Sequence, residues 1–525
     1  MELKYAIRKN TYYDSVTLML ITKEVKKLPG IQEVLVGMGT ELNKELASHL
    51  SLSNKEIQGL NPNDFFVTAL ASSDLSMEAV LKEVDTLLTK KKTQGDGDYR
   101  PPTLGAALKY QLDANLVLVS IPGEYAFDEV EKALHQDIHV MLFSDQMSMA
   151  DERRLKEIAK ERQLLMMGPD CGTAIINQVP LAFANVVRKG NIGIVGASGT
   201  GIQEVSILIH RLGEGVSQVI GTGGRDLKKE IGGIMMQQGI EALQNDPETG
   251  VIVLISKPPD EEVAERVLAL IAHSEKPVVV NFIGGHLNLI EKYGRTPCTT
   301  LEDAAQKAVA LLKGQAPRDF NGFTLSQERV SKMVCNEVKV FHHQQSYIRG
   351  LYTGGTLANE TIKLLSEELG GIYSNSPLRP EYQLLNVEES FQHTCLDLGE
   401  DGFTRGKPHP MIDPSTRLQR FVKEANDEEV AMILMDFVLG YGSHEDPVGE
   451  MLPVIIEEKR RLNQRGRHLC VIASICGTEE DPQDLKKSQQ RLEEAGVLVM
   501  PSNAQAARLA SLIMKNQNLR RENHV

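Results

Sequence analysis

Long hydrophobic runs are missing from this chain: nowhere in its 525 residues is there a stretch near the ~18 consecutive apolar residues of a membrane span. The amino end, M-E-L-K-Y-A-I-R-K-N, has no apolar core of the signal-peptide kind, so a soluble, cytoplasmic protein is expected. An excess of basic residues is missing too. Lys and Arg number 57 against 71 Asp and Glu, a formal charge of −14, which excludes a generally basic nucleic-acid surface. Cysteine is scarce and scattered. Cys171, Cys298, Cys335, Cys395, Cys470 and Cys476 form no C-x-x-C pair, which argues against a zinc knuckle or a disulfide scaffold and leaves buried thiols. The chain has enough apolar residues, 41%, for real cores, and its length leaves room for roughly three or four domains.

What is present is glycine at the ends of apolar runs. Residues 191–204 read N-I-G-I-V-G-A-S-G-T-G-I-Q-E, a short apolar run that ends in small residues and opens into an amphipathic pattern. This is a strand delivering its carboxyl end to a helix N-terminus, where the first N–H groups lack intrahelical acceptors and favour an anion. Gly196, Gly199 and Gly201 let a ligand approach the backbone, and Ser198 and Thr200 add hydroxyls. The segment has no G-x-G-x-x-G fingerprint, and a turn of this kind also serves packing alone. Residues 347–360, Y-I-R-G-L-Y-T-G-G-T-L-A-N-E, repeat the plan, with Gly354, Gly355 and Thr356 at the turn and Glu360 where the first copy has Glu204. The echo continues, with 250–256 answered by 430–437 and 276–282 by 468–474. Two doubly wound units built to one plan are implied, and facing each other they would clamp one anion between helix ends.

The fold class expected is α/β: several doubly wound domains, Rossmann-like and flavodoxin-like, preceded by a small ferredoxin-like α/β domain. The domains read as 1–95, 103–189, 190–315 and 346–515. Asp14 is placed to cap the first helix. Residues 90–102 and 314–345 read as linkers, and the adjacent His342 and His343 as exposed rather than metal-bound, so no metal is expected. The second domain lacks a glycine-rich first turn, so no dinucleotide is expected there. Residues beyond 515 read as a frayed tail.

Other candidates sit where a doubly wound sheet places its chemistry. Residues 219–226, V-I-G-T-G-G-R-D, add Gly223, Gly224 and Arg225, the last either contacting an anion or pairing with Asp226 or a neighbour. Lys257 and His286 follow the next two strands, with a solvated loop as the competing reading. Residues 399–414 are long and mixed in charge. Residues 439–450, L-G-Y-G-S-H-E-D-P-V-G-E, place Gly440, Gly442 and Ser443 ahead of a helix as a second set of donors, with His444 beside them. Glu445 and Asp446 suit the helix dipole.

Together these segments resemble the succinyl-CoA synthetase superfamily, most closely its FdrA-type branch. The residues that carry the likeness are N-T-Y-Y-D-S-V (10–16), M-G-P-D-C-G-T-A-I-I-N (167–177), G-N-I-G-I-V-G-A-S-G-T-G (190–201), I-R-G-L-Y-T-G-G-T-L (348–357), K-P-H-P-M-I-D-P (407–414) and D-F-V-L-G-Y-G-S-H-E-D-P-V-G (436–449). The resemblance covers nearly the whole chain. It implies a CoA-binding-like Rossmann domain over 103–189, synthetase-like flavodoxin domains over 190–315 and 346–515, and a phosphate or phosphoryl pocket shared by the last two. In the synthetase, helices that follow segments like 198–200 and 440–443 aim their N-termini at a phosphohistidine. Three departures stand against a plain ligase. The loop after 278–282 is G-G-H-L-N-L-I-E-K-Y-G-R, with His286 out of register; Lys257 stands where the synthetase has a glutamate; and no ATP-grasp domain is expected within the 525 residues.

The FdrA-type likeness implies a subunit of an oxamate carbamoyltransferase in allantoin catabolism, converting oxalurate and phosphate to oxamate and carbamoyl phosphate. On that expectation phosphate is a substrate, no cofactor is required by the chain alone, and CoA binding stays open. Ser198, Gly199, Thr200, Gly223, Gly224, Gly354, Gly355, Thr356, Gly440, Gly442 and Ser443 would hold the phosphate. Arg225 and Lys257 would balance charge on the carbamoyl oxygen, and His444 would move a proton to the leaving nitrogen. The partners expected are a small anionic substrate, other subunits of the complex and a second copy of the chain, with no nucleic acid and no membrane. Two alternatives remain: an acyl-CoA synthetase subunit that needs a separate ATP-grasp chain, and a non-catalytic scaffold.

Overall fold

The computed structural model describes every residue except 1, 12, 14, 74, 93–100, 405–406 and 523–525. Asp14 as a helix cap, most of the first linker, and Arg405 and Gly406 of the 399–414 segment therefore lie outside the described residues. The chain forms two compact units, residues 1–112 with 401–408, and residues 113–400 with 409–525.

In the first unit β1 (Glu2–Arg8), β2 (Ile31–Met38) and β3 (Phe65–Ala71) form an antiparallel sheet in the order β1-β3-β2, with helices Ser15–Lys26 and Met77–Lys92. Side chains alternate across a strand, and the central β3 is apolar on both faces. Phe65, Val67 and Ala69 join Leu18, Val25 and Val84 in one cluster, while Phe66 joins Leu52 and Ile57 in another. The Asp64 carboxylate accepts backbone N–H bonds from Asn61 and Asn10, both at 3.0 Å, and these hold its carboxyl below the usual range. This is the ferredoxin-like domain expected at the amino end.

The second unit holds three sheets. A small parallel sheet contains β4 (Leu116–Val119), β5 (His139–Leu142) and β6 (Met166–Met167) in that order. A seven-stranded sheet contains β7 (Thr173–Ile176), β8 (Val179–Ala182), β9 (Lys189–Ala197), β10 (Val216–Gly221), β11 (Val251–Ser256), β12 (Val278–Phe282) and β13 (Thr296–Pro297) in the order β13-β12-β11-β9-β10-β7-β8. The β7–β8 hairpin pairs antiparallel onto β10, and the strands from β9 to β13 run parallel. A five-stranded parallel sheet contains β14 (Tyr347–Tyr352), β15 (Thr394–Asp397), β16 (Val430–Val438), β17 (Cys470–Cys476) and β18 (Leu498–Met500) in the order β15-β14-β16-β17-β18. Helices cover both faces of such sheets, which is why β11 and β16 are apolar runs buried along their whole length.

The parallel part of each large sheet begins at an interior strand. β9 lies between β10 and β11, and β14 lies between β15 and β16. At such a point successive connections leave in opposite directions and open a crevice beyond the strand's carboxyl end. Helix Gly199–Arg211 starts at one crevice and helix Gly355–Leu369 at the other. One core joins the lobes: Ile202 and Val205 of the first helix, Leu357 and Ile362 of the second, Leu301 and Ala304 of helix Leu301–Leu312, and Leu509 and Ile513 of helix Asn503–Glu522.

Two expectations are corrected. Residues 314–345 are not a bare linker, since they contain helix Gln327–Val340. Its Val330 and Val334, four residues apart on one face, enter the core under an otherwise polar surface. The tail beyond 515 continues as helix through Glu522. Among the described residues no helix is long and apolar enough to cross a membrane.

Candidate functional site

The two glycine turns meet. Ser198, in extended conformation, caps the Gly199 helix by accepting the Gly201 N–H at 3.2 Å, and its Oγ lies 2.6 Å from Thr356 Oγ1 in the first turn of the Gly355 helix. The approach is close enough to need glycine. A Cβ built at Gly354 would stand 2.8 Å from Thr200 Cγ2, and one at Gly201 would stand 2.9 Å from Thr356 Cγ2. Ser198, Thr200 and Thr356 are all buried. Gly354 is the cap of its helix and brings no capping side chain.

The two helix N-termini pack directly against each other, which brings two partial positive charges together. Lys257, at the end of β11, adds a full one. Its Nζ would lie 3.0 Å from a Cβ on Gly355 and is 3.8 Å from Asp397 Oδ2 at the end of β15. Burial pushes the Asp397 carboxyl up from its usual range, against the pull of Lys257 and the Gly399 N–H. A second buried carboxylate shapes the turn: Asp436, ending β16, accepts the Thr353 and Gly354 N–H groups, both at 2.8 Å, and the Thr353 hydroxyl at 2.9 Å. In the sequence Asp436 stands out only as the first residue of the string 436–449. An acidic residue inside the fully buried run V-A-M-I-L-M-D-F-V was its available signal, because a buried charge demands partners.

Beside this turn is a small pocket lined by Thr353, Met411, Arg417, Phe437 and His444. Arg417 donates to the Asp436 carbonyl at 2.5 Å and lies 4.8 Å over the Phe437 ring, while its buried Nε has no hydrogen-bond partner. His444 Nδ1 accepts the Asp446 N–H at 3.1 Å, so a neutral ring carries its proton on Nε2. His409, from the K-P-H-P segment, stands near Gly399, where burial pushes its imidazole down to about 4 and keeps it neutral.

The structure thus brings together Ser198, Thr200, Gly354, Gly355, Thr356 and Lys257, with His444 at the adjoining pocket. Gly199 belongs to the same turn, and a Cβ there would meet nothing nearer than 3.5 Å. Other expected residues are elsewhere. Arg225 is 2.9 Å from Glu152 and donates to the Met147 carbonyl at 2.8 Å, beside a buried Lys156 that bonds Glu152 and Asp226. Gly223 is covered by the Pro169 carbonyl, and a Cβ on Gly224 would lie 2.6 Å from an Asp170 carboxylate oxygen, as one on Gly355 would lie against Asp397 Oδ2. Gly440, Gly442 and Ser443 do not begin a helix: helix Pro447–Gln464 starts later and is capped by Asp446, which accepts the Gly449 N–H at 2.7 Å. Gly440 gives its N–H to Gln483, Tyr441 pairs with Ala184, and Gly442 abuts Phe183, whereas Ser443, next to His444, keeps a buried Oγ with no hydrogen-bond partner. His286 is exposed.

Among family models, residues 351–513 match a CoA-ligase, 187–284 a CoA binding domain, and 1–102 the AllF, heavy metal-associated domain. The protein named "Uncharacterized protein YahF" of Escherichia coli (strain K12) is 45% identical over 510 residues, covering 97% of this chain and 98% of that one. The succinate–CoA ligase [ADP-forming] subunit alpha 2 of Archaeoglobus fulgidus is 29% identical over 32% of this chain and 58% of its own length. The ADP-forming sulfoacetate-CoA ligase subunit SqwL of an Acholeplasma is 30% identical over 34% of this chain and 61% of its own. The chain therefore spans about three-fifths of these ligase subunits.

A CoA binding domain is thus present, matched over 187–284 and not over 103–189, where the resemblance placed it. The metal implied at the amino end is another matter. Heavy metals favour thiolates, residues 1–102 contain no cysteine, and no metal-holding group of His, Cys, Asp and Glu exists among the described residues, so the chain does not fit one there.

The carboxyl-half models and the ligase relatives contradict an oxamate carbamoyltransferase, its transferase chemistry and its place in allantoin catabolism. The physical reason the residues misled is that a helix-end anion site holds phosphate equally well whichever group accepts the acyl carbon. With 45% identity to YahF over nearly its whole length, and a CoA-binding segment followed by a CoA-ligase segment, the chain belongs to the FdrA-type branch of the succinyl-CoA synthetase superfamily.

Proposed function

We propose that this chain is the acyl-CoA synthetase-like subunit of a succinyl-CoA ligase-type enzyme, acting on a small carboxylic acid with a separate nucleotide-binding chain as partner. The observation that supports it above all is the meeting of the Ser198 and Thr356 turns beside Lys257. Each helix end favours a phosphoryl group by up to ~2 kcal/mol, and a cation within reach adds to both. Thr353 lines the neighbouring pocket and Gly354 heads the helix, which places that pocket beside the phosphoryl position. CoA, when bound, supplies the thiol that takes the acyl group. The chain's own residues orient the acid, hold the phosphoryl oxygens and neutralise the charge that develops as phosphate leaves.

The test combines the purified chain with labelled ATP, CoA and a panel of small carboxylic acids, with and without a co-expressed nucleotide-binding partner. Acyl-CoA and free phosphate are expected only with the partner. Replacing Ser198 and Thr356 together by alanine is expected to lower kcat roughly tenfold or more. A fully active double variant would make the chain a scaffold, and acyl-CoA formed by the chain alone would dispose of the partner.

A further inference from the structure

The two helices that carry the anion site are tied together again behind it. Glu204 and Glu360 occupy matching places in the Gly199 and Gly355 helices, and both are buried. Asn503, the first residue of helix Asn503–Glu522, reaches both. Its main-chain N–H donates to Glu204 Oε1 at 3.1 Å, and its Nδ2 donates to Glu360 Oε2 at 2.8 Å and to the Leu357 carbonyl at 3.0 Å. Glu360 also accepts the Leu301 N–H at 2.7 Å. Glu302 is held by Ser502 at 2.6 Å and Gln505 at 2.7 Å. Three carboxylates from three helices thus converge on the start of a fourth, whose positive end suits them.

We propose that Asn503 is a positioning residue for the anion site, which by gripping one glutamate from each helix sets how closely the Ser198 and Thr356 turns approach. The claim about spacing is independent of what the site binds, whereas its effect on catalysis rests on the phosphate reading above. A buried cluster of this kind has a consequence for pH. Burial pushes Glu204 up to about 7, and raises Glu360 and Glu302 as well. Arg211, Lys363 and Arg508 act on the cluster as cations, while the Cys476 thiol and Tyr352 hydroxyl face it from the neighbouring strands. When Glu204 loses its proton, a buried charge appears where its helix meets the Asn503 and Gly355 helices, and the packing between them is weakened.

The experiment uses the full chain and sulfate, whose charge stays constant, at about pH 6 and about pH 9, together with hydrogen exchange at residues 199–202 and 355–357. Wild type is expected to bind sulfate more weakly at the higher pH, and Glu204→Gln to hold its affinity. Asn503→Ala, which loses the Nδ2 bonds to Glu360 and Leu357 and keeps the main-chain N–H on Glu204, is expected to bind roughly tenfold more weakly at both values and to exchange faster at residues 355–357. Should that variant not fold, Asn503→Ser takes its place. Unchanged exchange in the Asn503 variant, or a Glu204→Gln protein with wild-type pH dependence, overturns the proposal. Absence of sulfate binding by wild type at both values would instead remove the phosphate reading, and exchange alone would then decide the role of Asn503.

Discussion

The Ser198 and Thr356 hydroxyl oxygens lie 2.6 Å apart, so the cap of one helix and the first turn of another share a hydrogen bond between two sheets. Ser198→Ala removes a cap as well as this bond, and Thr356→Ala removes the bond alone. Each is expected to cost about 1 kcal/mol. The double variant should cost less than the sum. Thermal melting of the four proteins measures the coupling, and strict additivity would mean that the two hydroxyls do not interact.

Gly354 has an ordinary backbone conformation, with φ at −103°, so its intolerance of a side chain is purely steric. A methyl there strikes Thr200 and pushes the turns apart. Gly354→Ala is expected to cost about 1–3 kcal/mol, with Thr200→Ala in the same chain restoring part of it. If the pair melts no higher than Gly354→Ala alone, the clash is not the cause.

Lys257→Met takes away the cation that opposes burial at Asp397. The Asp397 carboxyl should then titrate higher still, readable by carbon NMR of labelled aspartate. Because a raised carboxyl favours its protonated form in the folded protein, stability should decline as pH rises through that value. Sulfate affinity should fall several-fold, discounted because the lysine is partly exposed. Unaltered affinity would separate Lys257 from the anion site.

Glu204 titrates at about 7 in the folded chain against an ordinary 4.5. Its raised value means that stability is fully present below about pH 4.5 and is lost progressively as pH climbs through about 7, by something on the order of 3 kcal/mol. Melting curves across that window should slope downward for wild type and less for Glu204→Gln. Parallel slopes would place the proton on another group.

Arg225 offers a contrast. It pairs with Glu152 at the rim of a buried network rather than with a ligand. Arg225→Ala is expected to destabilise by about 1–2 kcal/mol while leaving turnover of the assembled enzyme intact. A selective loss of kcat with an unchanged Tm would return Arg225 to the site.

Local patterns were legible because local forces make them. Apolar runs ending in glycine and leading into amphipathic segments marked β9 with its helix and β14 with its helix, and the second copy was visible as a repeat. Gly223, Gly224, Gly440 and Gly442 have the same local look and were gathered into the site on that ground. What covers them, namely Pro169, Asp170, Ala184 and Phe183, comes from distant segments and leaves no trace beside them in the sequence. Arg225 was undecided for the same reason, its partner Glu152 lying on another helix.

The sequence by itself determined the alternation of strands and helices, the glycine turns that start two helices, and the branch of the family, since these depend on residues close together in the chain. Only the tertiary structure decided which turns meet, which cations are spent on buried carboxylates, and that Asn503 joins Glu204 to Glu360. Those outcomes depend on how two sheets pack across a shared core, and packing assigns partners by shape and burial rather than by order along the chain.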